Sequence, residues 1–524
     1  MGAWSERTIE ERARAAHAAR NAILPYIRDS LDLTMPWRSD RLSTRTSFDH
    51  IYDSTAPINV QRSASRLQRD FTPPFQRWFE LEAGPLVPPA MQERLNRDLE
   101  IPTQIAHAVL DAGAFHKASH ESYSDLLVGT GALLATEGDD RDLVRWSAAP
   151  AWQLGIEEGP SGRVDNTYWD KGYPAWLLPR HWPKAVWPEK VRELIAGMST
   201  EIVKVRQAAY FDAEYGNWRL AIVCVDSAAN QSIVWESEHR TNPWIVFRYW
   251  TTPGDPWGRG PIMLMLPDIR TANKTVEMVL KAAAYQLAPP LMVLHDGVVN
   301  PDQLRLAPQA LIRVARTGGP MGRSIEPLDV GSRMDTGQIV LDDLRQNISK
   351  GLLATQLPPD SGAVRSASEI IERAKQLAFD GGAAFGRLNH EFVPQVVARV
   401  LDILDRKKVA TIDWNAMKID QLLLRVKVTS PLARAQNLED AQAVVQFWEM
   451  AKVVGGEEAF LQVCNTEDGL PKLAKVMGVP LWAVNDEQRR RQLAEAAGEM
   501  AANALQAQAA GPQGAEVTSL PLAA

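Results

Sequence analysis

Apolar residues recur at helical spacing near both ends of this chain and at strand spacing in its middle. Over residues 6–33, Ile9, Ala13, Ala16 and then Ala19 or Ile23 fall on one side, which predicts a single amphipathic helix. Residues 60–67 predict a short helix, ended by the breaker run Thr72-Pro73-Pro74 ahead of Trp78 and Phe79. Residues 102–127 predict a long one, which meets Gly129-Thr130-Gly131 and the strand-like 132–135. From Trp146 to Trp250 the pattern changes to β-branched and aromatic runs bounded by Asp, Asn and Gly. Residues 200–207, 218–224, 232–235 and 244–249 read as strands. No βαβ repeat orders them, so a mixed α/β region is expected.

The second half has a different grammar. Pro267 is expected to open a helix at its first position, where a missing N–H costs nothing. Ile269, Ala272, Val276, Val279, Leu280 and Ala283 give that helix a stripe, and Pro289-Pro290 stops it. Residues 291–294 and 311–314 read as strands of a small module, with Asp296-Gly297 as a turn and Gly318-Gly319-Pro320 as a loop. A return helix begins near Asp335 and places Leu341, Leu344, Ile348 and Leu352 on one face. Leu357-Pro358-Pro359-Asp360-Ser361-Gly362 breaks it. Ser366 and Glu369 then form a capping box for the next helix, which Gly381-Gly382 should kink. Asn437 and Asp440 cap another helix, with Val444, Val445, Trp448 and Ala451 inward and Gly455 at its end. Residues 494–524, mostly Ala, Gln and Gly, should fray into a disordered tail.

Composition sharpens the boundary between the halves. Of 17 tryptophans, 14 precede Gly258, so an aromatic α/β half joins an aliphatic helical half. At 524 residues there is room for roughly three domains. The net charge of −7 argues against a dedicated nucleic-acid binder, which would carry a basic face. Cys224 and Cys464 lie far apart without metal-ligand spacing and read as buried small hydrophobes of a reduced protein. No apolar run approaches the roughly 20 residues of a membrane span, and Met1–Arg20 lacks a signal-peptide hydrophobic region, so a soluble chain is expected.

Enzymatic constellations are thin. His116 and His120 stand four apart with Glu121 beside them, but the intervening Glu of the zinc-protease motif is missing. Gly129-Thr130-Gly131 lacks the third glycine of a dinucleotide fingerprint and precedes a strand. Gly319-Pro320-Met321-Gly322-Arg323-Ser324 echoes a phosphate loop without its Lys. No nucleophile elbow stands out. Asp139 and Asp140 read as a charged loop. No enzyme, cofactor or metal site is expected.

Several motifs in order look familiar. They are Tyr52-Asp53-Ser54-Thr55-Ala56, Ala64-Ser65-Arg66-Leu67, Thr72-Pro73-Pro74 running into Trp78-Phe79, Gly258-Arg259-Gly260-Pro261 and Leu266-Pro267-Asp268-Ile269. With the Pro289-Pro290 stop and the helix start at 366–372, the chain resembles podophage head-to-tail connector proteins, the portal proteins of short-tailed bacteriophages. The resemblance implies an α+β multidomain fold in a ring of twelve subunits at one capsid vertex, a virion component first made in the host cytoplasm. It implies a mixed α/β wing at 1–266, a first stem helix at 267–288 and a small strand-containing clip at 289–334. A second stem helix at 335–354, a tunnel loop at 355–365 and a wing return at 366–429 follow. A helical crown at 430–493 and the tail at 494–524 complete it. The Trp-rich stretch 146–187 has no counterpart in that pattern.

A packaging channel must let a polyanion slide, so its cations must be few and offset by acids. In residues 341–380, Arg345, Lys350, Arg365, Arg373 and Lys375 are offset by Asp342, Asp343, Asp360, Glu369, Glu372 and Asp380. Lys350, Gln356, Arg365, Arg373 and Lys375 are the candidate DNA-channel residues. Arg313, Arg316 and Arg323 form a basic cluster in the clip, a candidate docking surface for the terminase large subunit and the tail adaptor. Other expected partners are the homo-oligomer itself, transient non-specific double-stranded DNA, and capsid and scaffolding proteins, with no membrane. The alternatives are a DNA-processing metal-dependent hydrolase, and a tail or scaffold structural protein without a pore.

Overall fold

The computed structural model describes residues 6–40, 48–139, 141–225, 232–287, 291–293, 325–327, 334–352, 382–409, 424–429 and 443–456, with a few isolated positions beyond. Two units divide the chain, Met1–Ser430 and Pro431–Ala524.

The first element is α1 (Glu6–Arg20), and α2 (Leu24–Thr34) follows it. The single helix expected over 6–33 is therefore two. Asn21, Ala22 and Ile23 donate to carbonyls three residues back, and Pro25 occupies the first turn of α2, where its missing N–H is harmless. Ile9, Ala13 and Ala16 bury on one face of α1, packed with Tyr168, Ala208, Tyr210, Ala221 and Val223. Of the two alternatives for the next position, Ile23 is buried and Ala19 is exposed.

The sheet under α1 is antiparallel, in the order β4 (Leu154–Glu158), β5 (Val164–Pro174), β6 (Ile202–Asp212), β7 (Asn217–Cys224) and β8 (Ser232–His239). The Trp-rich stretch thus has a place: it supplies β4 and β5, then α6 (Leu178–His181) ahead of α7 (Glu189–Ala196). Arg206 on β6 ties α1 to the sheet, pairing with Glu10 and, through Nε at 2.6 Å, with Asp170.

A second, three-stranded sheet has the order β3 (Val144–Ala148), β2 (Thr130–Glu137) and β9 (Trp244–Arg248). Packed on it is α5 (Phe115–Val128), which in turn carries α3 (Thr55–Phe71) and α4 (Pro89–Ala112). The helix expected over 102–127 is broken at Gly113-Ala114, and Pro102 lies inside α4 rather than at a helix start. The helix expected over 60–67 extends further in both directions, as α3.

After the short hairpin β10 (Trp250–Thr252) and β11 (Asp255–Arg259) comes α8 (Pro261–Leu287). Pro261, not Pro267, opens it. Pro267 sits two turns in on the exposed side, where the carbonyl deprived of its N–H can be hydrated. β12 (Leu291–Val293) pairs antiparallel with β13 (Ile325–Pro327), and α9 (Met334–Gly351) returns alongside α8. The strand expected at 311–314 lies outside the described residues.

α10 (Gly382–Glu391) and α11 (Val393–Arg406) lead to β14 (Leu424–Val428), which pairs antiparallel with β1 (Phe79–Ala83). The helix expected from Ser366 and its kink at Gly381-Gly382 lie outside the described residues, which resume at Gly382 in α10. Phe392, between α10 and α11, meets Tyr123 and Phe247 with ring centroids 5.6 and 4.5 Å away. Arg399 and Asp402 on α11 are wholly buried and paired at 3.2 Å, and Arg399 also donates to Ala135 O on β2.

In the second unit residues 443–456 are helical. Val444 and Val445, expected inward, are exposed, while Trp448 is partly covered and meets Phe460 edge-on at 6.5 Å. Gly455, expected at the helix end, is itself helical, and Gly456 after it has a left-handed backbone at φ 74°. Among the described residues no helix is long and apolar enough to cross a membrane.

Candidate functional site, the root of the helical hairpin

α8 and α9 are held at their base by the residues that the sequence motifs single out. The first hold is the start of α8. Gly260 N donates to Val128 O at 2.9 Å, and Gly258 N donates to Thr130 Oγ1 at 3.0 Å. A Cβ at Gly258 would stand 2.2 Å from Gly129 O, and one at Gly260 would stand 2.1 Å from Leu127 O. The motif Gly258-Arg259-Gly260-Pro261 therefore needs its glycines for backbone-on-backbone approach, with Pro261 starting the helix. Gly129 is the helix-to-strand turn expected, and it is also the surface on which Gly258 lies.

The second hold is the segment from His50 to Thr55. Asn273, on α8, accepts from Tyr52 N at 2.7 Å and from Asp53 N at 3.1 Å, and its Nδ2 donates to His50 O at 3.0 Å. One side chain thus satisfies three backbone groups of a non-helical strap, whose loss to a dry environment would be costly. His50 Nε2 in turn donates to Asp32 O at 2.7 Å, and Arg270 on α8 pairs with Asp29 of α2.

Asp53 then crosses to the other helix. Its Oδ1 accepts from Thr55 N at 2.8 Å, and its Oδ2 accepts from Arg345 Nε on α9 at 2.9 Å. Burial works to raise the Asp53 pKa, but hydrogen bonds from Thr55 and Arg345, and the charge of Arg345, outweigh it and hold the carboxyl below its ordinary value. About one turn along α3, Asn59 Nδ2 donates to Ser349 Oγ at 2.8 Å, and a turn further Ser63 Oγ donates to Leu352 O at 2.5 Å. Leu341, Ile348 and Leu352 are buried, as the stripe predicts, and Leu344 is partly so.

The predicted site residues fare unevenly. Lys350 stands exposed in the last turn of α9. Gln356, Arg365, Arg373, Lys375, Arg313, Arg316 and Arg323 lie outside the described residues, as do most of 430–493 and the tail after 500. Arg345, grouped from sequence with the cations facing DNA, turns instead to Asp53. His116 and His120 do not act as a pair: His116 Nε2 is 2.7 Å from Asp111 Oδ1, and His120 Nε2 is 3.2 Å from Ser65 Oγ. Asp139 accepts from the backbone of Arg141 and Asp142 and from Arg145, which makes it a turn residue. Sequence reasoning missed Asn273, Asn59 and Ser63. The available signal was polar residues interrupting apolar stripes, as Asn273 does between Ala272 and Val276.

Comparison with known proteins follows the same line. No curated protein matches the chain. Among solved structures it is similar to a chain of the virion of the native gene transfer agent (GTA) particle, at 11% identity and a TM-score of 0.37, covering 84% of this chain and 94% of that one. It is also similar to a chain of the neck of the empty GTA particle computed with C6 symmetry, at 13% identity and a TM-score of 0.34, covering 83% and 92%. The sequence profile of the bacteriophage head to tail connecting protein matches residues 6–484. A match over nearly the whole length settles the family: the chain is a member of the bacteriophage head to tail connecting proteins.

Proposed function

We propose that this connector is a portal subunit. Twelve copies form a ring at one capsid vertex of the virion, and the ring is the conduit for DNA packaging and ejection and the docking site for the terminase and tail adaptor. The observation that carries this reading is the rooted hairpin of α8 and α9. It is fixed at its base by Asn273 and Arg345, yet it leaves Met278, Leu280, Leu287, Ile339 and Val340 exposed further out. A hairpin anchored at one end and apolar along its outer half suits a wall built from many copies. ATP hydrolysis for packaging belongs to a separate motor, and no catalytic role is assigned to this chain.

In this reading residues 1–266 and 366–429 form the wing, α8 and α9 correspond to the stem helices at 267–288 and 335–354, and 289–334 form the clip. Residues 355–365 form the tunnel loop and 430–493 the crown. Lys350, Gln356, Arg365, Arg373 and Lys375 face the DNA, while Arg313, Arg316 and Arg323 meet the terminase or adaptor. Ring repetition turns one exposed lysine such as Lys350 into a belt of positive charge on an otherwise acidic wall. Removing the chain from an assembling phage should leave heads without DNA; normally filled heads would refute the reading. Neutralising Lys350 and Arg365 together should change how much DNA is packaged and retained, and unchanged amounts would remove those two from the channel.

A further inference from the structure

We propose that residues 171–186 form a docking site for a short segment of a partner protein, one that carries carboxylates beside apolar side chains, with Lys171 and Arg180 as its principal contacts. The site belongs to the Trp-rich stretch and does not depend on the ring reading. Trp169, Lys171 and Tyr173 alternate along β5 and so share one face of the sheet. Lys171 Nζ stands 4.7 Å from the centre of the Trp169 ring and 5.1 Å from that of Tyr173. Asp170, the acid next to it, lies on the opposite face, paired with Arg206 and His17. Tyr173 is buried, and Gln207 Nε2 donates to its hydroxyl at 2.9 Å. His181, at the end of α6, and Trp182 after it pack on Tyr173 with ring centroids 5.0 and 5.3 Å away. Trp182 also rests against the buried Trp187, at 6.1 Å.

The charges around this ring cluster are of one sign. From 171 to 186 the sequence carries Lys171, Arg180, His181 and Lys184 and no acid. Burial holds the Lys171 pKa below its ordinary value, with no carboxylate acting against it. Burial lowers the His181 pKa too, and the charges of Lys171, Arg145 and Arg180 lower it further. One imidazole therefore has cations from β3, β5 and α6 around it. Among the described residues only Arg145 of these three has an ion-pair partner, Asp139 at 2.7 Å. A carboxylate brought to Lys171 and Arg180 meets charge that the fold leaves uncompensated. Trp176, 42% exposed, and Val186, 78% exposed, supply apolar surface in the same stretch. Pro174, Pro179 and Pro183 restrict the backbone between them, so binding has little chain to order.

Other occupants explain less. Single-stranded nucleic acid needs open ring faces on which bases stack. Here Lys171 lies over Trp169 and Tyr173, and the rings of Tyr173, His181 and Trp182 meet one another. Duplex DNA would take up the cations but would leave Trp176 and Val186 facing water. A second copy of this chain would bring a broad face, since specific contacts between folded proteins engage roughly 20–30 residues a side. Nine of residues 171–186 are exposed, which is the footprint of a short segment. Isolated surface ion pairs contribute little, so the apolar side chains of that segment supply much of the attraction while its carboxylates fix register and partner.

The test uses the full-length chain and a fluorescein-labelled peptide, Gly-Glu-Glu-Leu-Phe-Glu-Glu-Gly, followed by fluorescence anisotropy. Saturable binding that weakens with salt is expected, and none to the same peptide with Gln in place of every Glu. Lys171→Met and the double variant Arg180→Gln/Lys184→Gln should each weaken binding about tenfold. Lys117→Gln, at an exposed position on α5, should leave it unchanged. Circular dichroism melts establish that each variant folds. Arg180 and Lys184 are exposed, so the double variant tests the site even where Lys171→Met does not fold. No binding up to about 1 mM peptide, or equal binding by all folded variants, would overturn the site. A DNA duplex that displaced the peptide at a lower concentration than the unlabelled peptide does would overturn it in favour of nucleic acid. Folded variants that no longer assemble as the unmodified chain does would overturn it in favour of a contact between copies. The first two results leave the ring reading standing, and a chain that binds the peptide but forms no rings would overturn that reading alone.

Discussion

Arg345 and Asp53 stand 292 residues apart in the sequence and 2.9 Å apart in the fold, and their bond joins the second hairpin helix to the strap that also grips the first. Asp53 is buried and Arg345 is half exposed, so the pair is worth more than a surface ion pair and less than a sealed one. Asp53→Ala would leave Thr55 N and the guanidinium without their acceptor and should cost about 1–3 kcal/mol. Arg345→Met should cost less, and the double variant should show a coupling energy of about 1 kcal/mol in chemical denaturation. Strict additivity of the two single changes would mean that the bond does not hold the hairpin.

The same carboxylate makes the hairpin root sensitive to acid. Because the folded Asp53 pKa is depressed, its contribution is present above the ordinary value of about 3.9 and is lost as pH falls through the lower folded value. Hydrogen exchange at the strap and at the base of α9 should therefore quicken below about pH 4, ahead of the β6–β7 core. In Asp53→Asn that additional acid step should disappear.

A histidine sets a second pH window. His239 is buried beside Ser237, and burial, reinforced by the charges of Arg399 and Arg406, drives its pKa down to about 2. It stays neutral in the fold while the unfolded chain takes up a proton below about pH 6.5, so stability falls as pH drops below that point. The slope should reach about 1.4 kcal/mol per pH unit. His239→Asn should flatten the profile between pH 6 and about 4. An unchanged slope would assign the acid sensitivity elsewhere.

Glycine positions separate a packing requirement from mere helix weakness. Gly258→Ala places a methyl against Gly129 O, 2.2 Å from the Cβ position, so backbone must move and the expected cost is about 2 kcal/mol or more. Gly386, inside α10, has nothing within 4 Å of its Cβ position, and Gly386→Ala should stabilise by about 0.5–1 kcal/mol. Thermal melts that moved in the same direction for both would contradict this account of the motif.

Much of this fold was legible where the apolar pattern is periodic and local. The stripe Leu341–Ile348–Leu352 located α9 nearly to the residue, and the β-branched and aromatic runs located β6 to β9. Proline misled where geometry allows it inside a helix: Pro102 and Pro267 read as helix starts because their surroundings, which decide whether the lost hydrogen bond matters, are set by tertiary structure. The breaks at 21–23 and at Gly113 interrupt continuous helical spacing, so periodicity ran through them. The grip of Asn273 on the strap has no periodic signature at all. It depends on a contact over 220 residues away, and a lone Asn in a stripe is compatible with many fates. The motif carrying Asp53 was recognisable, but its partner on α9 was not.

The central claim is a ring with a bore. Electron microscopy of the purified full-length chain, with class averages viewed down the symmetry axis, tests it most directly. The account predicts closed rings of twelve copies whose central hole, about 20 Å or more across, admits duplex DNA, given a helix that carries one charge per ~1.7 Å and must slide without gripping. Monomers, dimers or closed particles without a hole, over a range of salt and protein concentrations, would contradict it.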